Sequence, residues 1–79
     1  MSSSTGPALR VLREDAGLTA REVAGRAGVS ESYLSRVENG KAYPAPSWVA
    51  NVAAAIAEAI AESARRSLPD QHHVPERAA

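Results

Sequence analysis

Seventy-nine residues with zero formal net charge, nine Lys and Arg against nine Asp and Glu, and a pI near 6.7 fit one small domain with a marginal hydrophobic core. The absence of cysteine excludes disulfides, thiolate metal sites and cysteine nucleophiles, and suits a reducing compartment. No apolar run approaches the roughly 18 residues that span a bilayer, and the opening MSSSTGP lacks the charged-then-apolar order of a signal peptide, so a cytoplasmic location is expected.

Strict apolar/polar alternation persists nowhere, so the chain reads as all-α, with four helical segments. Residues 1–6 are expected to be a flexible arm, with no basic residue to enter a minor groove. The first helix is expected from about Pro7 to Ala16, with Leu9, Leu12 and Ala16 on one face and Gly17 closing it. The second starts at Thr19, which with Glu22 three residues on makes a capping box. Val23, Ala24 and Ala27 form its buried stripe, and Gly28 breaks it. Val29 is the apolar residue of the turn, and Ser30 is a sound N-cap for the third helix. That helix turns Leu34 and Val37 inward and ends at Asn39-Gly40. About three residues separate the second and third helices, which forces a sharp angle and matches helix-turn-helix spacing.

The segments LREDAGLT, EVAGRAGVS and YLSRVENGK resemble the lambda-repressor and Cro-like helix-turn-helix family, also called the Xre family, over roughly Ala8 to Ile56. The resemblance implies a compact four-to-five-helix DNA-binding domain over residues 7–56. It places the helix from Ser30 to Asn39 in the major groove of double-stranded DNA, while the preceding helix crosses the backbone. Base contacts then fall to Glu31, Ser32, Ser35 and Arg36, which face outward because Leu34 and Val37 face inward. Arg36 can fork onto guanine O6 and N7; the residues three and four away are Tyr33, Ser32, Asn39 and Gly40, none of them an acidic partner. Glu31 either accepts from cytosine N4 or complements the helix dipole. Phosphate contacts fall to Thr19, Arg21, Ser30, Tyr33, Asn39 and Lys41. Tyr33 either meets sugar and phosphate or packs its ring on the second helix, and Asn39-Gly40 also makes an ordinary helix cap. The family very often has glutamine directly after the second helix's N-cap; here that residue is Ala20, and Arg21 is the substitute. The resemblance further sets Arg13 against Glu38 as a partly buried ion pair.

Zero net charge is unusual for a nucleic-acid binder. Residues 1–41 hold six basic residues (Arg10, Arg13, Arg21, Arg26, Arg36, Lys41) against five acidic (Glu14, Asp15, Glu22, Glu31, Glu38), so any positive face must be local.

The last helix is expected from near Pro46 to about Arg66, some 20 residues. Trp48 or Val49, Val52, Ile56 and Ile60 follow one face, with Ala53, Ala57 and Ala64 beside it. Family members usually break after the residue matching Ile56, whereas alanine and glutamate continue the helical propensity here. Residues 57–66 therefore read as an extension that forms a two-fold homodimer through Ile56, Ala57, Ile60 and Ala64. Two recognition helices would then read half-sites about 34 Å apart in an inverted repeat. Residues 67–79 read as a disordered tail, in which His72 and His73 lack a third metal ligand.

The expected function is a sequence-specific transcriptional regulator, a repressor of the small stand-alone kind, with no cofactor, no metal and no membrane partner. The sequence offers no ligand-sensing or cleavage domain, so no small-molecule ligand is expected. Enzymatic function is excluded: there is no phosphate loop, no histidine beside a nucleophile and no paired-carboxylate cleft. The rival is a protein-binding module or antitoxin-type partner that keeps the helix-turn-helix shape.

Overall fold

A computed structural model of the chain describes residues 4–67 and places four helices there: α1 (Thr5–Asp15), α2 (Ala20–Ala27), α3 (Glu31–Glu38) and α4 (Pro46–Ser67). No strand occurs among the described residues. Residues 68–79, with His72 and His73, and residues 1–3 lie outside them, so half of the expected arm and all of the expected tail but Ser67 are not described.

Local chemistry sets the helix boundaries. Thr19 Oγ1 accepts from the Glu22 amide at 3.0 Å, while the Glu22 carboxylate accepts from the Thr19 amide at 3.2 Å, so two orphan donors of α2 are satisfied reciprocally. At the other end Gly28 adopts φ 69°, a left-handed conformation that a Cβ disfavours, and Val29 donates back to the Ala24 carbonyl at 3.0 Å. Ser30 Oγ then accepts from the Tyr33 amide at 3.1 Å and starts α3. The turn is thus built from three residues whose chemistry is fixed. Asn51 of α4 adds a side-chain donor to the Ala27 carbonyl at 2.8 Å, satisfying the exposed end of α2 from outside.

One core joins all four helices: Leu9, Val23, Ala24, Leu34, Val52 and Ile56 cluster together, and Val37, Ala55 and Ala59 are also buried. Helix α4 lies chiefly on α2 and α1, while α3 is held by α1 and α2. That arrangement leaves the far side of α3 uncovered.

The strongest tie between α1 and α3 is ionic. Arg13 donates Nε and Nη2 to the two carboxylate oxygens of Glu38 at 2.9 and 2.8 Å, and its Nη1 donates to the Leu18 carbonyl at 2.9 Å. Glu38 is only 7% exposed, so the bidentate geometry carries a charge that water barely reaches. The hydrogen bonds to Glu38 push the Arg13 pKa above its ordinary value, against the opposing effect of burial. A second tie is steric. Helix α1 starts at Thr5, two residues before the expected Pro7, so Thr5 and Gly6 belong to it rather than to an arm. Gly6 is buried because the α1 backbone presses on the end of α3: a Cβ there would run into the Val37 carbonyl, with the Val37 carbonyl carbon at 2.7 Å.

Two further departures concern side-chain placement, and a third the end of α4. Leu12, expected inside with Leu9, is 41% exposed, because it borders a groove between α1 and the distal part of α4 rather than the core. In α4 the buried alanines are Ala55 and Ala59, whereas Ala53 is half-buried and Ala57 and Ala64 are exposed. Burial therefore continues past Ile56, and the Arg26–Glu62 ion pair at 3.0 Å fastens the extension to α2. Ser67, expected to begin the tail, is the last residue of α4.

Replacing Glu38 with glutamine keeps the shape but leaves the Arg13 charge uncompensated. The expected loss is roughly 3 kcal/mol, seen in thermal unfolding as a Tm lower by on the order of 15 °C for a domain of this size. Gly6→Ala overpacks the α1–α3 contact and is expected to cost about 1–3 kcal/mol in the same measurement.

Candidate nucleic-acid interface

Helix α3 presents two chemically distinct sides. Leu34, Val37 and Glu38 are buried, whereas Glu31, Ser32, Ser35, Arg36 and Asn39 are all exposed. Positions 32, 35, 36 and 39 follow the three-and-four spacing of one helical stripe, so the four residues share a face. The outer stripe is polar, short except for Arg36, and not covered by α4. Ser30 and Ser32 link their hydroxyls at 3.1 Å over the first turn, and Asn39 reaches the Ser35 hydroxyl at 3.5 Å over the last. Past Asn39, the Gly40 and Lys41 amides donate to the Val37 and Arg36 carbonyls at 3.0 and 2.7 Å, a paired closure that fixes where Lys41 leaves the helix.

The remaining expected contacts lie on the approach to this helix. Thr19 and Arg21 are exposed at the start of α2, Ser30 is exposed at the start of α3, and Tyr33 is half-buried. Ala20, which stands where the family often has glutamine, is half-buried and packs its methyl against the core. That position is used for packing, and the adjacent Arg21 is the group left facing water. The Tyr33 ring packs edge-on against Trp48 of α4, with centroids 5.2 Å apart and planes at 84°, a partner that neither sequence reading of Tyr33 had named.

Charge is sorted across the surface. Arg10 pairs with Glu14, Arg13 with Glu38 and Arg26 with Glu62. Among the described residues, Arg21, Arg36, Lys41, Arg65 and Arg66 form no ion pair; the first three belong to α2, α3 or the turn after α3, and the last two to the end of α4. Hydrogen bonding to Arg26 holds the Glu62 carboxyl below its ordinary pKa, so that pairing persists until acid protonates it. Neutrality of the whole chain thus coexists with unpaired cations on α3, just past its end and at the start of α2, beside one unpaired acid, Glu31, in the first turn of α3.

Of the residues expected at a dimer surface, Ala57, Ile60 and Ala64 are exposed. Ile56 is not: at 1% exposure it sits in the chain's own core, because it and Val52 share the face of α4 that joins Leu9, Val23, Ala24 and Leu34 rather than facing outward. Sequence reasoning did not identify the Trp48 contact, the Asn51 cap or the Arg26–Glu62 bridge. Trp48 had been placed near the core face of α4, but its meeting with Tyr33 depends on the crossing of α3 and α4, which no local pattern encodes.

A model of the family described as "Helix-turn-helix domain" matches residues 6–68. The chain belongs to this DNA-binding family. The succession of α2, the turn over Gly28 to Ser30 and α3 is the motif that this description names, and the family is one of non-enzymatic proteins. The chain is also 43% identical over 54 residues to the HTH-type transcriptional repressor RghR of Bacillus subtilis (strain 168), a match covering 67% of this chain and 40% of that protein. It therefore spans well under half of that relative's length. No solved structure gives a significant match. Among the described residues no helix is long and apolar enough to cross a membrane.

Proposed function

We propose that this helix-turn-helix chain is a sequence-specific transcriptional repressor that binds double-stranded DNA as a homodimer on an inverted repeat. The observation that carries the reading is the exposed polar stripe of α3, with Arg36 on it, Lys41 just past its end and Arg21 at the start of α2, all outside the chain's ion pairs. In this reading α3 enters the major groove, where Glu31, Ser32, Ser35 and Arg36 meet base edges. Arg36 forks onto a guanine, and Glu31 at the first turn accepts from a cytosine amine. Thr19, Arg21, Ser30, Tyr33, Asn39 and Lys41 hold the flanking phosphates and fix the register. The α2 amide end and the Thr19 hydroxyl supply what the glutamine of other family members would.

The repressor role rests on similarity to a protein of that name and on the economy of occluding a promoter by occupancy. Function beside cellular DNA implies the cytoplasm. Dimerisation rests on the exposed Ile60 with Ala57 and Ala64, joined by Leu12 across the α1–α4 groove. An inverted repeat requires such a two-fold axis to set the two α3 helices about 34 Å apart, one turn of the duplex.

Selection of bound duplexes from a random pool is expected to return an inverted repeat. Arg36→Ala should then relax the preference at one base position per half-site, a discrimination worth about 1–3 kcal/mol. Lys41→Ala should weaken all sequences alike and reduce the salt slope by about one. Association with little salt dependence would instead favour a protein partner, the reading that zero net charge supports. Ile60→Glu is expected to shift the chain from dimer to monomer in analytical ultracentrifugation while leaving the helical circular dichroism in place; an unchanged sedimentation coefficient removes this surface as the dimer contact.

A further inference from the structure

Tyr33 is the third residue of α3, and Ser30 caps its amide at 3.1 Å, so its backbone is fixed at the start of the recognition helix. Its ring is half-buried with an edge on Trp48, 5.2 Å between centroids and close to perpendicular. Among the described residues, the Tyr33 hydroxyl has no protein hydrogen-bond partner. A phenol whose ring is clamped and whose polar tip is unpaired is suited to one task, donating a hydrogen bond to a group outside the chain.

Trp48 is equally constrained. It is the third residue of α4, its amide donates to the Ala45 carbonyl at 3.0 Å, and its indole packs against the core. Since α4 otherwise lies chiefly on α1 and α2, the aromatic pair is a direct bridge from α4 to the first turn of α3. A tyrosine on a helix exchanges between rotamers when its ring is free. An edge-to-face partner, worth about 0.5–1.5 kcal/mol, is enough to hold one of them.

We propose that Trp48 is a positioning residue for DNA binding: it fixes the Tyr33 ring so that the hydroxyl is delivered, already oriented, to a backbone phosphate. This rests on the DNA-binding reading above. The hydroxyl is neutral, so the contact adds affinity without sequence preference and without releasing a counterion. Trp48 touches no nucleic acid itself. Its effect passes entirely through the hydroxyl of Tyr33, which gives the inference a distinctive signature.

The test is a double-mutant cycle on the selected duplex, with circular dichroism and Tm recorded for every variant. Tyr33→Phe is expected to weaken binding about five- to tenfold, the usual worth of one hydrogen bond, on all sequences and with the salt slope unchanged. Trp48→Ala is expected to weaken binding by a similar factor, and Trp48→Phe to restore most of it. The two changes together should cost little more than either alone, because once the hydroxyl is gone there is nothing left to orient. Multiplicative losses would overturn the inference and leave Trp48 as packing only, as would full affinity in Trp48→Ala. Failure of the unaltered chain to bind any duplex would remove the DNA reading and this inference with it, whereas multiplicative losses in a chain that binds remove this inference alone.

Discussion

The carboxylate of Glu38, held by both arms of the Arg13 guanidinium, is the contact on which the reading surface depends. It lies at the last turn of α3 and belongs to a helix of only eight residues, too short to persist on its own. Arg13 also takes the Leu18 carbonyl, so one side chain joins α1, the entry to α2 and the end of α3. The other end of α3 is fixed by Leu34 in the core and by the Ser30 cap. With both ends fixed and the inner side filled, the outer side has no packing left to do and is available for recognition. Gly6 belongs to the same device, since only a residue without a side chain lets α1 approach the α3 terminus closely enough for Arg13 to reach.

Charge balance is the second organising feature. A chain with equal numbers of acids and bases would attract a polyanion poorly if its charges were mixed evenly. Here some of the acids are used as structural partners: Glu14, Glu38 and Glu62 each neutralise an arginine, while Asp15, Glu31 and Glu58 stay exposed and unpaired among the described residues. Glu22 is spent on the capping box. Arg21, Arg36 and Lys41 keep their charge where α2 and α3 meet solvent. Net charge is an average over the whole surface, whereas a phosphate responds to the few charges within about a Debye length of it.

Much of this was legible in the residues, and the reasons differ from element to element. Thr19 with Glu22, Gly28 and Ser30 are local signals whose partners lie within a few residues, so the boundaries of α2 and α3 follow from sequence to within one position. Leu34 and Val37 are legible for the same reason, since burial on an eight-residue helix has a fixed period. The Arg13–Glu38 contact spans 25 residues and was reached through family resemblance, not through any local rule. Where sequence reasoning failed, the deciding contact was non-local. The start of α1 depends on Gly6 meeting Val37, the exposure of Leu12 depends on where α4 crosses α1, and the burial of Ile56 depends on α4 turning that face to the core shared by α1, α2 and α3. The Tyr33–Trp48 pair is the same kind of case, with two aromatics on different helices brought together only by the tertiary crossing.

The central claim is that the outer side of α3, with the start of α2, is where this chain meets duplex DNA. Titration of the isotopically labelled protein with a short duplex, followed by amide chemical-shift changes in NMR spectra, tests it residue by residue. The account predicts that the changes concentrate on Thr19 to Arg21 and on Ser30 to Lys41, while the distal half of α4 stays still. Changes confined to α4, with α3 unmoved at saturating duplex, would contradict it.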